Sequence, residues 1–425
     1  NMKKVLLTLI AVLMAVPAFA IEVYNNGEDT SVNIYGTVRG YVGYGMGNTG
    51  DTTAEAAGNK LTINEGGMDH NFLYGLQGNS RIGTKFKVGN FSGQVELGAN
   101  EKTLINKKTD DTVGLRQAWA AYSFGNAGTL LFGKTDTPTA MSGFISDIYD
   151  TDGGLNGFGG SNTGTRRFQV QYSIGGLTLA LIEDDITATA IGSFTDGGKF
   201  TPRGGISYTF KNDTLMAKVA ATYTAVNGHY SDINNNQKWT NIHAFGVTAG
   251  VKPTFGSMYL SAIFRYGMNE DLYNEAKTVA NYGKATHDAY SISLGGLVPG
   301  ISSIKPGQLV DTDGTVYNVH RAAIALEFGA KVTEQLTAMV GAGYQATIQE
   351  LGDDFSGVTD PSFLVHSYAV YVQANYALNK YFALIPQIAY YGTMGSISGK
   401  TAGETVNLDD SQGGLLVGMQ LRASF

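Results

Sequence analysis

Between Val32 and Val42 the chain alternates. Val32, Ile34, Gly36, Val38, Gly40 and Val42 share one parity, while Asn33, Thr37 and Arg39 fall on the other. A period of two is the mark of a β-strand with one apolar and one polar face. The pattern returns at Ser80 to Val88, where Ile82, Thr84, Phe86 and Val88 oppose Arg81, Lys85 and Lys87. Gly89-Asn90 makes a tight turn, and Phe91 to Ala99 then sets Phe91, Val95 and Leu97 against Gln94 and Glu96. Together these runs predict a hairpin with a two-residue connection.

The connections that follow alternate between short and long. Gly89-Asn90, Gly125 to Gly128, Gly175-Gly176, Asn212-Asp213, Pro253 to Gly256, Ala330 to Gln335 and Leu378 to Lys380 are short. Long ones are expected at 45–77, 101–112, 136–165, 187–202, 227–240, 268–315, 349–363 and 392–412. Fifteen connections join sixteen strands, the last being Gly413 to Phe425. If His287 to Leu294 paired with Leu297 to Ile304, the number would be eighteen.

A soluble sandwich has no need for every second connection to be long. A transmembrane antiparallel β-barrel does, with short turns on the periplasmic side and long loops outside. Its apolar face looks outward to lipid and its polar face inward to water. Tyr44, Tyr208, Phe210, Tyr266, Phe328, Tyr344, Tyr376, Phe382 and Tyr390 fall near strand ends, as interfacial girdles require. The fold expected is all-β, a single barrel domain over residues 21–425.

The third long connection differs from the others. It carries Phe144, Ile145, Ile148, Tyr149, Leu155 and Phe158, too many apolar groups for a solvated loop, together with Asp147, Asp150 and Asp152. Long irregular segments in ordered domains are commonly functional. This one is expected to fold into the lumen and narrow it.

Composition adds three constraints. Residues 1–20 read as a secretory signal peptide: Lys3 and Lys4, an apolar run from Val5 to Val16, then Ala18-Phe19-Ala20. That places the mature protein outside the cytoplasm. The chain has no cysteine, so its stability must come from hydrogen bonding and packing in a large structure. Its net charge is -7, which argues against nucleic acid as a partner.

Several stretches resemble the general bacterial porins of Gram-negative outer membranes. IEVYNNGEDTSVNIYGTVRGYVGYG is similar to their opening strand, and NSRIGTKFKVGNFSGQVEL to their second and third. LRQAWAAYSFGNAGTLLFGKTDTP resembles the fourth and fifth, leading into the inward-folded loop, and LRASF the closing strand. The resemblance covers about a third of the chain plus its end. It implies a sixteen-stranded barrel in the outer membrane, usually a homotrimer, and a transverse field between wall cations and loop carboxylates. It also implies that Phe425 is read by the barrel-assembly machinery. The Pro-Glu-Phe-Gly-Gly-Asp type of loop motif is missing here.

Following the polar face gives inward cations at Arg39, Arg81, Lys85, Lys87, Arg116, Lys134, Arg167, Arg203, Lys218, Arg265, Arg321 and Arg422. On the lipid face at mid-depth each would cost ~2–4 kcal/mol, so water or a counter-charge must hold them. Arg39, Arg81, Arg116, Lys134 and Arg167 are the expected pore wall, facing Asp147, Asp150 and Asp152, with Glu96 beside them. Ordinary structural ion pairs with Glu96 or Glu327 are the competing account of each arginine. On strand four, Leu115, Gln117 and Trp119 are expected to face outward, with Gln117 as a candidate subunit contact.

Enzyme signals are weak. Gly45 to Gly50 fits G-x-G-x-x-G but lacks the βαβ context that gives this spacing meaning. His366 and Ser367 are adjacent and so point to opposite sides of a strand. No metal site, cofactor or catalytic group is expected. The function expected is passive diffusion of ions and small hydrophilic solutes. Adhesion or reception through the external loops, or a substrate-specific channel, are the alternatives.

Overall fold

The structure is a computed structural model. It describes residues 21–48, 52–56, 59–64, 68–99, 113–147, 155, 157–160, 166–183, 194–200, 202–231, 237–270, 316–350, 359–401 and 404–425. The expected signal peptide, Asp150, Asp152, Ile148, Tyr149 and most of 268–315 lie outside the described residues.

One antiparallel sheet holds every described strand. In chain order these are β1 (Ile21–Asn25), β2 (Thr30–Asn48), β3 (Thr52–Ala56), β4 (Asn59–Asn64), β5 (Met68–Leu76), β6 (Arg81–Val88) and β7 (Phe91–Ala99). They continue with β8 (Val113–Ser123), β9 (Thr129–Thr135), β10 (Arg167–Ile174), β11 (Leu177–Ile182), β12 (Phe194–Phe200) and β13 (Arg203–Lys211). The second half of the wall is β14 (Leu215–Ser231), β15 (Gln237–Phe255), β16 (Met258–Met268), β17 (Val319–Lys331) and β18 (Leu336–Glu350). It ends with β19 (Thr359–Ala377), β20 (Phe382–Thr401) and β21 (Glu404–Ser424).

Successive staves of the wall pair antiparallel in chain order, and β2 pairs with β21 from Thr37↔Ser424 to Asn48↔Gly413, which closes the cylinder. Sixteen staves result. β5 and β6 are two halves of one stave, both laid against β2 and parted at 77–80. β12 continues the line of β13 along β14, β3 and β4 form a hairpin attached to β21, and β1 folds back on the foot of β2. β16 pairs directly with β17 over its whole length, so no further hairpin is inserted there and eighteen is excluded.

The apolar face is the outer one. Val95 and Leu97 are 47% and 39% exposed, while Gln94 and Glu96, which alternate with them, are 6% and 2%. All nine expected girdle aromatics are exposed on the outside. Sheet closure satisfies the backbone internally, as a hydrocarbon surround demands. The hydrophobic core sits inside the cylinder: Phe144, Ile145, Leu155 and Phe158 of the third loop pack on Tyr41, Ile263, Tyr371, Tyr391 and Leu416 of the wall.

Several long connections are shorter than the alternation predicts. Residues 227–231 and 237–240 belong to β14 and β15, and β20 and β21 stay paired to Thr401↔Glu404. The expected loop 45–77 contains the β3–β4 hairpin and β5. The reason is physical. Alternation is imposed only where one face meets hydrocarbon, whereas the hydrogen-bonded ladder continues into water without it.

Candidate functional site: the loop across the lumen

Leaving β9, the third loop is drawn over the lumen and fastened to the far wall. The Thr137 and Thr139 hydroxyls bond at 3.1 Å, and the amide of Ala140 returns to the Thr137 carbonyl. Lys218 Nζ on β14 then donates to the Ala140 carbonyl at 2.7 Å. Lys252 Nζ on β15 donates to the carbonyls of Gly143 (2.8 Å) and Phe144 (3.2 Å). Lysines thus meet carbonyls that no helix or strand satisfies.

The next link is Glu327 on β17, only 1% exposed. Its carboxylate accepts the amide of Ser146 (3.1 Å), the Ser146 hydroxyl (3.0 Å), the Tyr259 hydroxyl (2.7 Å) and the Tyr371 hydroxyl. Gln373 Nε2 donates to the carbonyl of Asp147 at 3.2 Å. The Asp147 side chain then reaches β2, where Arg39 Nη1 lies 3.3 Å from its Oδ2. Arg39 is directly opposite Arg422 in the seam ladder, so two guanidinium groups flank this one loop carboxylate. The returning limb is equally close: the Phe158 ring lies 5.0 Å from that of Tyr391 at a 60° tilt, and a Cβ at Gly343 would fall 1.8 Å from the Phe158 carbonyl.

A second charged cluster lies on the near wall. Arg81 Nε and Arg116 Nε are 3.4 and 2.9 Å from the two oxygens of Glu96. Tyr35 donates to Glu96 at 2.8 Å and accepts from Gln94 Nε2 at 2.7 Å. A β-bulge positions this group: Glu96 pairs with Gln117 and Leu97 with Leu115, so Arg116 is the extra residue and can turn inward. Two cations share one buried carboxylate.

The bulge overturns one expectation. Downstream of it the parity reverses, so Gln117 and Trp119 lie opposite Glu96 and Gln94 on the inner face; only Leu115 stays outside. Gln117 therefore marks no subunit contact; it accepts from Trp119 Nε1 and Thr135. Lys134 moves the other way. It is in register with Ala118 and Phe168, on the face of Leu130 and Phe132, and its Nζ reaches the Leu115 carbonyl at 2.8 Å. The bulge moves the count on β8 alone; on β9 the consecutive Leu130, Leu131 and Phe132 leave no alternation from which to place Lys134. Arg167 keeps the inner parity, in line with buried Gln169.

Two features escaped the sequence reading. Glu327 was a candidate partner for an arginine, but it holds the loop instead. Glu270 lay within an expected loop, yet it is 1% exposed and binds Arg265 through Nε at 3.0 Å, with Arg321 Nη1 at 3.8 Å. Asn269 directs it there with φ of +55, a left-handed turn that asparagine tolerates, and donates to the His243 carbonyl. The one available clue was a polar pair, Asn-Glu, directly after a strand ending.

The geometry is that of a closed cylinder crossed inside by a segment whose carboxylate meets a cation of the wall. The fold is that of outer-membrane channels. The outer membrane channel DcaP of Acinetobacter baumannii superimposes with a TM-score of 0.54 at 16% identity, over 95% of this chain and 99% of that one. An anion-selective porin from Comamonas acidovorans gives 0.46 at 16% identity over 93% and 100%, and the outer membrane protein OmpT of Vibrio cholerae, in a trimer form, 0.48 at 11% over 94% and 100%. No family model matches the sequence, and no curated protein does.

Proposed function

We propose that the chain is a porin: a water-filled outer-membrane channel for passive diffusion of ions and small hydrophilic solutes. The reading rests above all on one contact, the Asp147 carboxylate carried across the lumen to Arg39. It sits inside a cylinder whose outer belt is apolar, a surface suited to lipid rather than water. Opposed charges in a low-dielectric-walled passage focus the potential and bias which ions enter.

Selectivity follows from the local excess of cations. Arg81 and Arg116 share Glu96, and Arg39 and Arg422 flank Asp147. We assign the pore wall to Arg39, Arg81, Arg116 and Arg167, facing the loop carboxylates, and expect a modest preference for anions. A homotrimer, and Phe425 as the signal for the assembly machinery, are adopted from the sequence resemblance.

Purified protein in a planar bilayer is expected to give stable conductance steps. A protein that folds in detergent and never conducts would overturn the reading. In a salt gradient the reversal potential of R116Q is expected to move toward cation preference. No movement would remove Arg116 from the selective section.

A further inference from the structure

Tryptophan occurs twice in the chain, at 119 and 239. Trp239 stands on the outer parity of β15, with His243 and Val247, and is 57% exposed. Trp119 does the opposite. The bulge at Arg116 turns it inward, in register with Gln94 on one side and Gly133 on the other. Leu131, on the same inner parity of β9, lies one step nearer the short turn, and both side chains are half-buried. The indole Nε1 is committed to Gln117, two residues along the same strand, and among the described residues no ring stacks on the indole. Gly133 adds no side chain beside it. A Cβ there would fall 2.3 Å from the Ala118 carbonyl and 2.5 Å from Trp119 Cα, so this flank of the indole stays bare.

The charged cluster of the near wall adjoins it. Lys85, Gln94 and Trp119 share one row of the ladder, and Glu96 and Gln117 share the next, away from the short turns. Arg116 runs across Gly98, with its Cδ where a Cβ of residue 98 would be, and so brings its guanidinium to Glu96. Glu96 is fully used by Arg81, Arg116 and the Tyr35 phenol. The guanidinium groups are not. Among the described residues the Nη groups of Arg81 and Arg116 meet no hydrogen-bond acceptor, and these side chains are 31% and 12% exposed. The opposite wall has no such room: Glu327, Tyr371, Gln373 and Tyr391, which carry the loop, are 3% exposed or less.

We infer that this part of the near wall is a solute site for planar aromatic carboxylates, with the ring on Trp119 and the carboxylate on Arg116 and Arg81. The inference rests on the channel reading and names a class of solute that the passage retains. The two halves of the site make separate demands. An indole face selects a flat ring, while paired guanidinium donors select a carboxylate. Neighbouring strands lie ~4.8 Å apart, so both demands are met within the reach of one small molecule. The carboxylates nearby do not repel it: Glu96 is outnumbered two to one, and Asp136 at the root of the loop is held by Arg166 at 3.3 Å.

W239F leaves Trp119 as the only tryptophan, and its fluorescence lifetime in the folded full-length protein in detergent reads the site directly. 4-Nitrobenzoate, an aromatic anion that quenches indole, is expected to shorten the lifetime saturably, and the neutral 4-nitrobenzyl alcohol to do so about tenfold more weakly. Benzoate is expected to displace the quencher about threefold better than cyclohexanecarboxylate, which has the charge without the flat ring. R81Q and R116Q, each made in the W239F background, are expected to weaken 4-nitrobenzoate about fivefold; two separate variants serve in case one does not fold. Quenching that rises without saturation, equal action of the neutral compound, equal displacement by cyclohexanecarboxylate, or indifference to both arginine variants would overturn the proposal. Because quenching is read without a bilayer, its failure is distinct from an absence of conductance steps, which would overturn the channel reading instead.

Discussion

Glu96 illustrates how much a single side chain decides. Nearly inaccessible, it is shared by Arg81 and Arg116, leaving a net positive charge, and fixes Tyr35. E96Q would leave two guanidinium groups with no carboxylate, at a cost of about 1–3 kcal/mol. Thermal unfolding of the purified barrel is expected to fall by several degrees, with a reversal potential moved toward anions. Asp29 makes a different kind of prediction, outside the bilayer. Hydrogen bonds from the side chains of Asn26 and Thr30 hold its carboxyl below the usual 3.8. The support it lends the turn beneath β2 is therefore present above that value and lost as pH falls through the lower folded one. Amide exchange of Gly27 to Thr30 is expected to accelerate only in that acid range in the native protein, and D29N is expected to abolish the step. At this scale the sequence was partly legible. Arg39, Arg81 and Arg116 are assigned to the inner face by parity, but parity is counted: the one extra residue at Arg116 puts Gln117 and Trp119 on the wrong side, and the unbroken apolar run Leu130 to Phe132 gives Lys134 no count at all.

At the level of elements, the loop and its anchorage depend on each other. The loop's apolar residues announced that it was not solvated; nothing in them named the wall that would receive them. That information lies in Gly343, whose missing side chain admits the Phe158 carbonyl, and in Glu327, which could have been read equally as an arginine partner. G343V is expected to displace the returning limb, raising open-channel current noise and lowering the melting temperature, while the strand content by circular dichroism stays unchanged. E327Q removes one acceptor oxygen from four donors. It is expected to leave conductance steps intact in number but broader in amplitude, because the loop keeps its lysine contacts through Lys218 and Lys252. A uniform, sharp amplitude in both variants would show that the loop does not set the narrow section.

For the molecule as a whole, closure is the governing fact. β2 must find β21, and their ladder ends at Gly36, which exchanges both backbone bonds with Phe425 at 2.8 and 2.9 Å while the Phe425 ring covers the place a side chain would take. G36V is expected to slow refolding into detergent and to lower the heat needed to convert the folded band to the unfolded one on a gel. The strand number was legible because turn residues repeat regularly and each apolar face is written out along the chain. Strand length was not, because nothing apolar marks where a ladder continues into water.

That continuation has a consequence for the outer surface. β14 with β15, and β20 with β21, run on as paired ribbon well past the aromatic level. A protease needs free, extended backbone in its cleft, and a hydrogen-bonded ribbon offers none without local opening. Intact cells treated with a broad-specificity enzyme should therefore keep the peptide bonds of 223–228 and 393–398 uncut, leaving a shaved but still closed pipe whose rim stands proud of the membrane like the neck of a bottle.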